Sequence, residues 1–418
     1  MYICENKGHE YIISMNDNIN SLPKVLFDSQ AFDMQTHGGV TRYVSELISH
    51  LQGKVIPILE LSESSNIYAR NMNMVADKDT YKEFCHRYRI PFKRIVFKII
   101  YNIRHGHYAN WDMMPKFNIF NAEKLLKQGD FDLFHPTFFD PYFLKYIKAK
   151  PYVVTVHDMI VEKYPEYFQS VKKQIRQKRL VVTNASHIIA VSQCTKNDLR
   201  AIYGIPSERI TVIHHGVDAT PCQYSQTRKY DFPYILYVGD RAGGYKRFVD
   251  FVRALSSVLC KCPDLRLVCV GRPFTKREQD LFSQLNIQDK VESTFADTDQ
   301  KMADLYHYAK AFVYPSEYEG FGLPILEAFK YECPVVLNNA SCFPEIAGDA
   351  ALYFEFGTTE SQGLSHMLET ILSWTPEERA KHLMLQRQRL SIYSWEKSAR
   401  QHAEVYNNVI RDTFKLSK

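Results

Sequence analysis

Ten short apolar runs, in two groups of five, constrain this chain more than any other feature. The first group is VLFDSQAF (25–32), DLFHP (132–136), YVVTVHD (152–158), HIIAVS (187–192) and ITVIHHG (210–216). The second is YILYVG (234–239), RLVCVG (266–271), VESTF (291–295), AFVYPS (311–316) and PVVLNN (334–339). Helical patterns lie between them. The segment FVDFVRALSSVL sets Phe248, Phe251, Val252, Leu255, Val258 and Leu259 on one face. Near-continuous rather than alternating apolar strands are buried on both faces, so each group predicts a parallel sheet covered by helices on either side.

The expected fold class is therefore α/β, with two Rossmann-like doubly wound domains in series, facing across a cleft. A length of 418 residues fits two domains of about 200 residues each. Residues 1–24 read as an irregular lead-in, with Met15 an alternative start. The first domain is expected over 25–216. The polar stretch VDATPCQYSQTRKYDFP (217–233) reads as a linker, and the second domain follows over 234–393. Neither first strand leads into GxGxxG, which argues against a dinucleotide fingerprint. Ligands of such sheets bind beyond the carboxyl ends of the strands, so two facing sheets place a site between the domains.

Composition removes several function classes. A net charge of +5 is too mild for a duplex-binding protein, and no nucleic-acid partner is expected. The nine cysteines are scattered, and Cys260 with Cys262 lacks a second pair at zinc spacing. Reduced thiols in a cytoplasmic protein are expected. The opening residues lack the apolar core of a signal peptide, and no run approaches the ~18 apolar residues of a membrane span.

Three turns point to an anionic ligand. In EYEGFGLPILEAF the backbone N–H groups of Gly320, Phe321, Gly322 and Leu323 gather where a helix starts, a natural cradle for phosphate oxygens. Pro324 suits the first helical position. Glu319 precedes this turn and Glu327 lies one turn inside the helix. Carboxylates beside phosphate are repelled by it, so both are read as acceptors for hydroxyls on either side, one sugar and one ribose. Either glutamate alone would fit an ordinary solvated helix; the constellation fits it poorly. The turn DRAGGYKRF after YILYVG carries Arg241 and Lys246, cations suited to a diphosphate. Gly38 and Gly39 open a third such turn from the first domain. His157 and Asp158 follow a buried strand and are candidates for catalysis or sugar contact, with His135 of FHPTFFDP a weaker one; Asp158 and His135 are the acceptor-side candidates.

With these residues in place, the chain resembles the retaining glycosyltransferases of family 4, over roughly residues 25–415. The most specific element is the pair Glu319 and Glu327 with seven residues between them. GGVTRY, FHPTFFDPYF, VVTVHDM, HIIAVSQCTKNDL, VIHHGVD and YVGDRAGGYKRF stand beside it. The resemblance implies the GT-B fold, and makes YSWEKSARQHAEVYNNVI part of a closing segment (394–418) that returns to the first domain. It implies that Glu319 contacts the donor sugar, that Glu327 binds the ribose, and that Lys246 with Arg241 binds the diphosphate. The amides of Phe321, Gly322 and Leu323 join them, Gly39 meets the phosphates and His157 meets the sugar. Asp240 stands where many relatives have arginine directly after the glycine. The implied reaction retains anomeric configuration by front-face attack, with the leaving phosphate accepting the acceptor's proton and no carboxylate acting as covalent nucleophile.

That resemblance implies neither cofactor nor metal: a nucleotide sugar is the substrate, and the charge of the leaving group is met by side chains and helix starts. Asp297 and Asp299 of the DTD triplet are read as helix-capping residues. GDP-mannose is the expected donor, with UDP-sugars behind it, and a glycan or lipid-linked glycan of bacterial surface-polysaccharide assembly the expected acceptor. An epimerase of the same fold would hold the same donor and need no acceptor. A non-catalytic binding protein would be expected to lack Glu319 or Lys246, and both are present. Residues 86–107 carry six Lys or Arg and no acid among Ile, Val and Phe. They suit either contact with an anionic membrane at the inner face or an exposed basic helix.

Overall fold

The computed structural model describes residues 22–35, 38–61, 64, 66–71, 114–218, 224, 225, 228–357 and 363–416. The basic stretch 86–107, most of the lead-in and part of 217–233 lie outside them.

Twelve short strands are present among the described residues: β1 (Lys24–Phe27), β2 (Ile56–Ile58), β3 (Leu133–His135), β4 (Val153–Val156), β5 (His187–Ala190), β6 (Ile210–Val212), β7 (Tyr234–Val238), β8 (Arg266–Val270), β9 (Val291–Thr294), β10 (Ala311–Tyr314), β11 (Val335–Asn338) and β12 (Leu352–Phe354). Every strand pairing is parallel. In the first half, β2-β1-β3 and β4-β5-β6 are joined by a bridge between Phe134 and Tyr152. In the second half one sheet runs β12-β11-β10-β7-β8-β9. Buried Val, Ile and Leu line these strands, as expected of sheets covered on both faces.

The run VLFDSQAF is a strand only as far as Phe27. Asp28 is buried and accepts hydrogen bonds from the Thr137 amide and hydroxyl, from Gln30 and from Tyr142, and a short helix, Gln30–Met34, follows. The polar anchor ends the strand there. The helix Phe248–Lys261 buries the six apolar residues that the periodicity selects. The stretch 217–233 is irregular but not detached: Val217 is buried in the second-domain core, against which Tyr224, Tyr230 and Phe232 pack.

Strand order fixes where a ligand site forms. The chain runs outward from β7 through β8 to β9, then returns to add β10 on the other side of β7. Ligands of such sheets bind at this switch point, and the loops after β7 and β10 meet there, the Glu317 amide donating to the Tyr245 carbonyl at 2.7 Å. The loop after β7 carries Lys246 and the loop after β10 carries Glu319. The last helix, Trp395–Leu416, packs along the first-domain helix Gly39–Leu51, with Tyr43, Trp395, Ala399 and Tyr406 in a common core.

Candidate active site

Lys246 and Glu319 meet across the crevice, Nζ to Oε1, at 2.5 Å. Burial works to depress the Lys246 ammonium, but Glu319, Tyr245 and the hydrogen bond to Glu319 together outweigh it and hold it above the usual lysine range. The ammonium is thus a fixed cation. The Glu319 loop is pinned from the strand beyond: Ser341 Oγ accepts from the Glu319 amide and donates to its carbonyl, which also accepts from the Cys342 thiol.

The backbone then turns through Gly322, whose φ of 94° favours glycine, into the helix Leu323–Lys330. Pro324 is the second helical residue rather than the first, where it still costs no hydrogen bond. At the start of this helix the Leu323 amide has no intrahelical acceptor, Pro324 carries no N–H, and the Ile325 amide donates to the Gly322 carbonyl at 2.9 Å. Phe321 is buried, its ring edge-on to His215 at 4.6 Å. Only its backbone is placed to meet a ligand.

Glu327, one turn in, reaches the other domain. Its Oε1 receives Arg42 Nη1 at 2.5 Å and its Oε2 accepts from Tyr306 at 3.2 Å. Arg42 is a residue that the sequence reading missed. Its one signal is position: it lies three residues after Gly39, on the same face of the helix Gly39–Leu51. Gly39 itself faces the second domain, where an added Cβ would lie 3.7 Å from Leu323.

His157 and Asp158 close the site from the first domain. The His157 carbonyl abuts Gly320 so tightly that an added Cβ would stand 1.6 Å away, with the Asp158 side chain at 3.0 Å. Burial lowers the His157 imidazole to about 4, so it is neutral at physiological pH. Its ring lies edge-on to Tyr43 and stacks near His215. Asp158 accepts from the Ile160 amide, and its carbonyl accepts from Lys178.

Arg241 and His135 have structural partners of their own. Arg241 and Lys246 leave the same turn toward different partners, Glu278 and Glu319. The Arg241 guanidinium is buried within the second domain, paired with Glu278 at 2.8 Å and donating to the Arg272 and Pro273 carbonyls. It also lies over Phe274 and Phe248, so the group holds two loops together. His135 is buried at the end of β3, with Nδ1 bonded to the Tyr406 hydroxyl at 2.7 Å and Nε2 to Thr155 at 3.1 Å. The strand points it into the seam with the last helix. Thr298 caps the helix Asp299–His307 and Asp297 pairs with Lys301, so the DTD triplet has a structural use. No group of three or more His, Cys, Asp or Glu suited to a metal occurs among the described residues.

The arrangement offers a fixed cation, a helix start and two carboxylates aligned across an interdomain crevice. Such a set can bind a diphosphate flanked by hydroxyl-bearing groups. Two family models match the chain, one in each half. Residues 224–382 match "Glycosyl transferases group 1" and residues 37–220 match "Glycosyltransferase Family 4". The chain is 26% identical over 388 residues to O-antigen chain mannosyltransferase B of Escherichia coli, covering 88% of this chain and 95% of that one. It is 30% identical over 201 residues to O-antigen chain mannosyltransferase RfbU of Salmonella typhimurium, covering 48% of this chain and 55% of that protein. A crystal structure of a glycosyltransferase from Rickettsia africae superposes with a TM-score of 0.65 at 18% identity, covering 93% of this chain and 99% of that one.

Proposed function

Because the chain belongs to glycosyltransferase family 4 and has its two-domain GT-B fold, we propose that it transfers mannose from GDP-mannose, with retention, to a glycan or lipid-linked glycan of polysaccharide or lipopolysaccharide assembly. The observation that carries this reading is the Lys246–Glu319 pair at the β7/β10 switch point, beside the start of the helix Leu323–Lys330. Glu319 takes hydroxyls of the donor sugar once Lys246 turns to the diphosphate. The amides of Phe321, Gly322 and Leu323 receive phosphate oxygens, and Glu327 takes the ribose hydroxyls. Gly39 and His157 bring the first domain against donor and acceptor, with Asp158 on the acceptor side. Charge on the departing phosphate is met by Lys246 and backbone dipoles, so no metal is required. The mannose donor is supported by the O-antigen mannosyltransferase relatives.

The deciding experiment is a binding screen by thermal shift over GDP-, UDP-, dTDP- and ADP-sugars. Transfer from the binding donor to lipid-linked glycans follows, with NMR of the product's anomeric proton. GDP-mannose should give the largest shift and the product an α linkage. A shift with UDP-sugars alone replaces the donor, an inverted anomer removes the retaining mechanism, and no shift with any donor removes the transferase reading.

No helix among the described residues is long and apolar enough to cross a membrane. We place the protein at the inner face through residues 86–107, where each Lys or Arg near an anionic surface contributes about 1 kcal/mol. Changing Lys93, Arg94 and Lys98 to Glu should abolish co-sedimentation with phosphatidylserine-containing liposomes and leave nucleotide-sugar binding intact. Equal sedimentation of both proteins would remove this placement.

A further inference from the structure

Both carboxylates of the crevice are occupied by cations. Glu319 is held by Lys246 of its own domain, and Glu327 by Arg42 of the other. Arg42 and Glu327 are the bridge between the helices Gly39–Leu51 and Leu323–Lys330, and both side chains are largely shielded from solvent, at 26% and 21% exposure. A half-buried ion pair of this kind loses much when one partner is taken away and the other is left alone. If the ribose of a donor takes Glu327, Arg42 keeps only its lesser neighbours Glu46 and Asp299 and gains from a new anion.

We propose that Arg42 is a donor-binding residue that exchanges partners: it holds Glu327 while the site is empty and passes to the diphosphate when the ribose takes the carboxylate. This rests on the transferase reading above. Three features support it. Arg42 sits one turn from Gly39, which faces Leu323 at the start of the phosphate-cradling helix. An arginine guanidinium is a planar fork that suits a carboxylate and a phosphate equally, so the exchange preserves its hydrogen bonds. Charge favours it as well: Glu319, Glu327, Glu46, Asp299 and Asp158 all act on Lys246 or Arg42, so an anionic ligand needs both cations. Each of the two carboxylates is released to hydroxyls as its cation turns to phosphate. The donor would then bridge the two domains in place of the ion pair.

The exchange makes opposite demands on a ligand with phosphates and one without. Titration calorimetry of the full chain with GDP and with guanosine separates them, for wild type, Arg42→Gln and Arg42→Lys. Thermal melts confirm that each variant is folded. For GDP, Arg42→Gln should weaken binding about tenfold or more, the loss expected for one charged hydrogen-bonding group. Arg42→Lys should recover part of that loss. For guanosine, Arg42→Gln should bind at least as tightly as wild type, because the ribose no longer competes with the guanidinium for Glu327. Unchanged GDP affinity in Arg42→Gln overturns the proposal and leaves the transferase reading standing. Tighter binding of both ligands also overturns it and reduces Arg42 to a latch. Equal weakening of both shows damage to the site rather than lost phosphate contact, and overturns it too. A wild-type chain that binds none of GDP, UDP, dTDP and ADP overturns both readings together.

Discussion

The carbonyl oxygen of His157 lies 1.6 Å from where a Cβ on Gly320 would stand, so the first domain rests directly on the backbone of the Glu319 loop. Neither group can yield alone. His157 directly follows a buried strand, and the Glu319 loop is pinned by Ser341 and Cys342. Glycine at 320 is a condition for the domains to meet at this distance.

Gly320→Ala should therefore push the domains apart without unfolding either. Overpacking of this kind costs about 1–3 kcal/mol. A displacement near 1 Å at a site shared by two domains should lower transfer on the order of a hundredfold. Near-normal turnover with an unchanged melting temperature would show that the contact is dispensable.

Lys246→Ala and Glu319→Gln should each reduce turnover on the order of a hundredfold or more, since each removes one preorganised charge from the reacting end of the donor. They should differ in binding. Loss of the cation should weaken the nucleoside diphosphate itself, whereas Glu319→Gln should leave GDP affinity almost intact and weaken only the sugar-bearing donor. Isothermal titration with GDP and with GDP-mannose reads the difference. Equal effects on both ligands would place Glu319 at the phosphates rather than at the sugar.

The strands inside the two sheets were legible because burial on both faces writes itself as a local apolar run. β2 and β12 were not, for a physical reason: each is a three-residue strand with no fully apolar buried run. β2 is an edge strand that carries Pro57, which a central strand would not tolerate. The site shows the same division. Glu319, Lys246 and the glycine turn could be placed because strand order brings the ends of β7 and β10 together. Side-chain direction could not: Arg241 shares a turn with Lys246, yet points into its own domain toward Glu278. Arg42 escaped because its partner lies 285 residues away, and nothing local marks a pair that exists only once two domains meet.

Transfer should continue in excess EDTA at undiminished rate, because Lys246 and the start of the helix Leu323–Lys330 supply the charge that a divalent cation would otherwise bring. Rates measured after chelation, then after adding back manganese or magnesium, decide this. Loss with chelator and recovery with metal would bring Asp297 and Asp299 back as ligands, against their present use at the start of the helix Asp299–His307.

The seam between the first domain and the last helix makes a prediction about acid. His135, His157, His215 and His402 are gathered around Tyr43, Thr155 and Tyr406. Burial lowers all four imidazoles, His157 and His402 to about 4 and the other two well below their ordinary value. Unfolding returns each to about 6.5. The unfolded chain then binds more protons, so the stability these groups contribute is complete above about pH 6.5 and is lost as pH falls toward 4. Each histidine can contribute a slope of up to about 1.4 kcal/mol per pH unit in that window. Burial raises the Asp28 and Asp33 carboxyls, Asp33 to about 8, and these push the other way, since the folded chain holds their protons more readily. The histidine share is therefore read as a difference between proteins. His402→Gln removes one of the depressed groups and leaves both aspartates in place. Chemical denaturation of wild type and variant at a series of pH values from 7 to 4.5 should show the variant losing stability less steeply as acid is added, whatever its stability at neutral pH. Parallel curves would assign the acid sensitivity to carboxylates elsewhere and leave the histidine seam without a titration role.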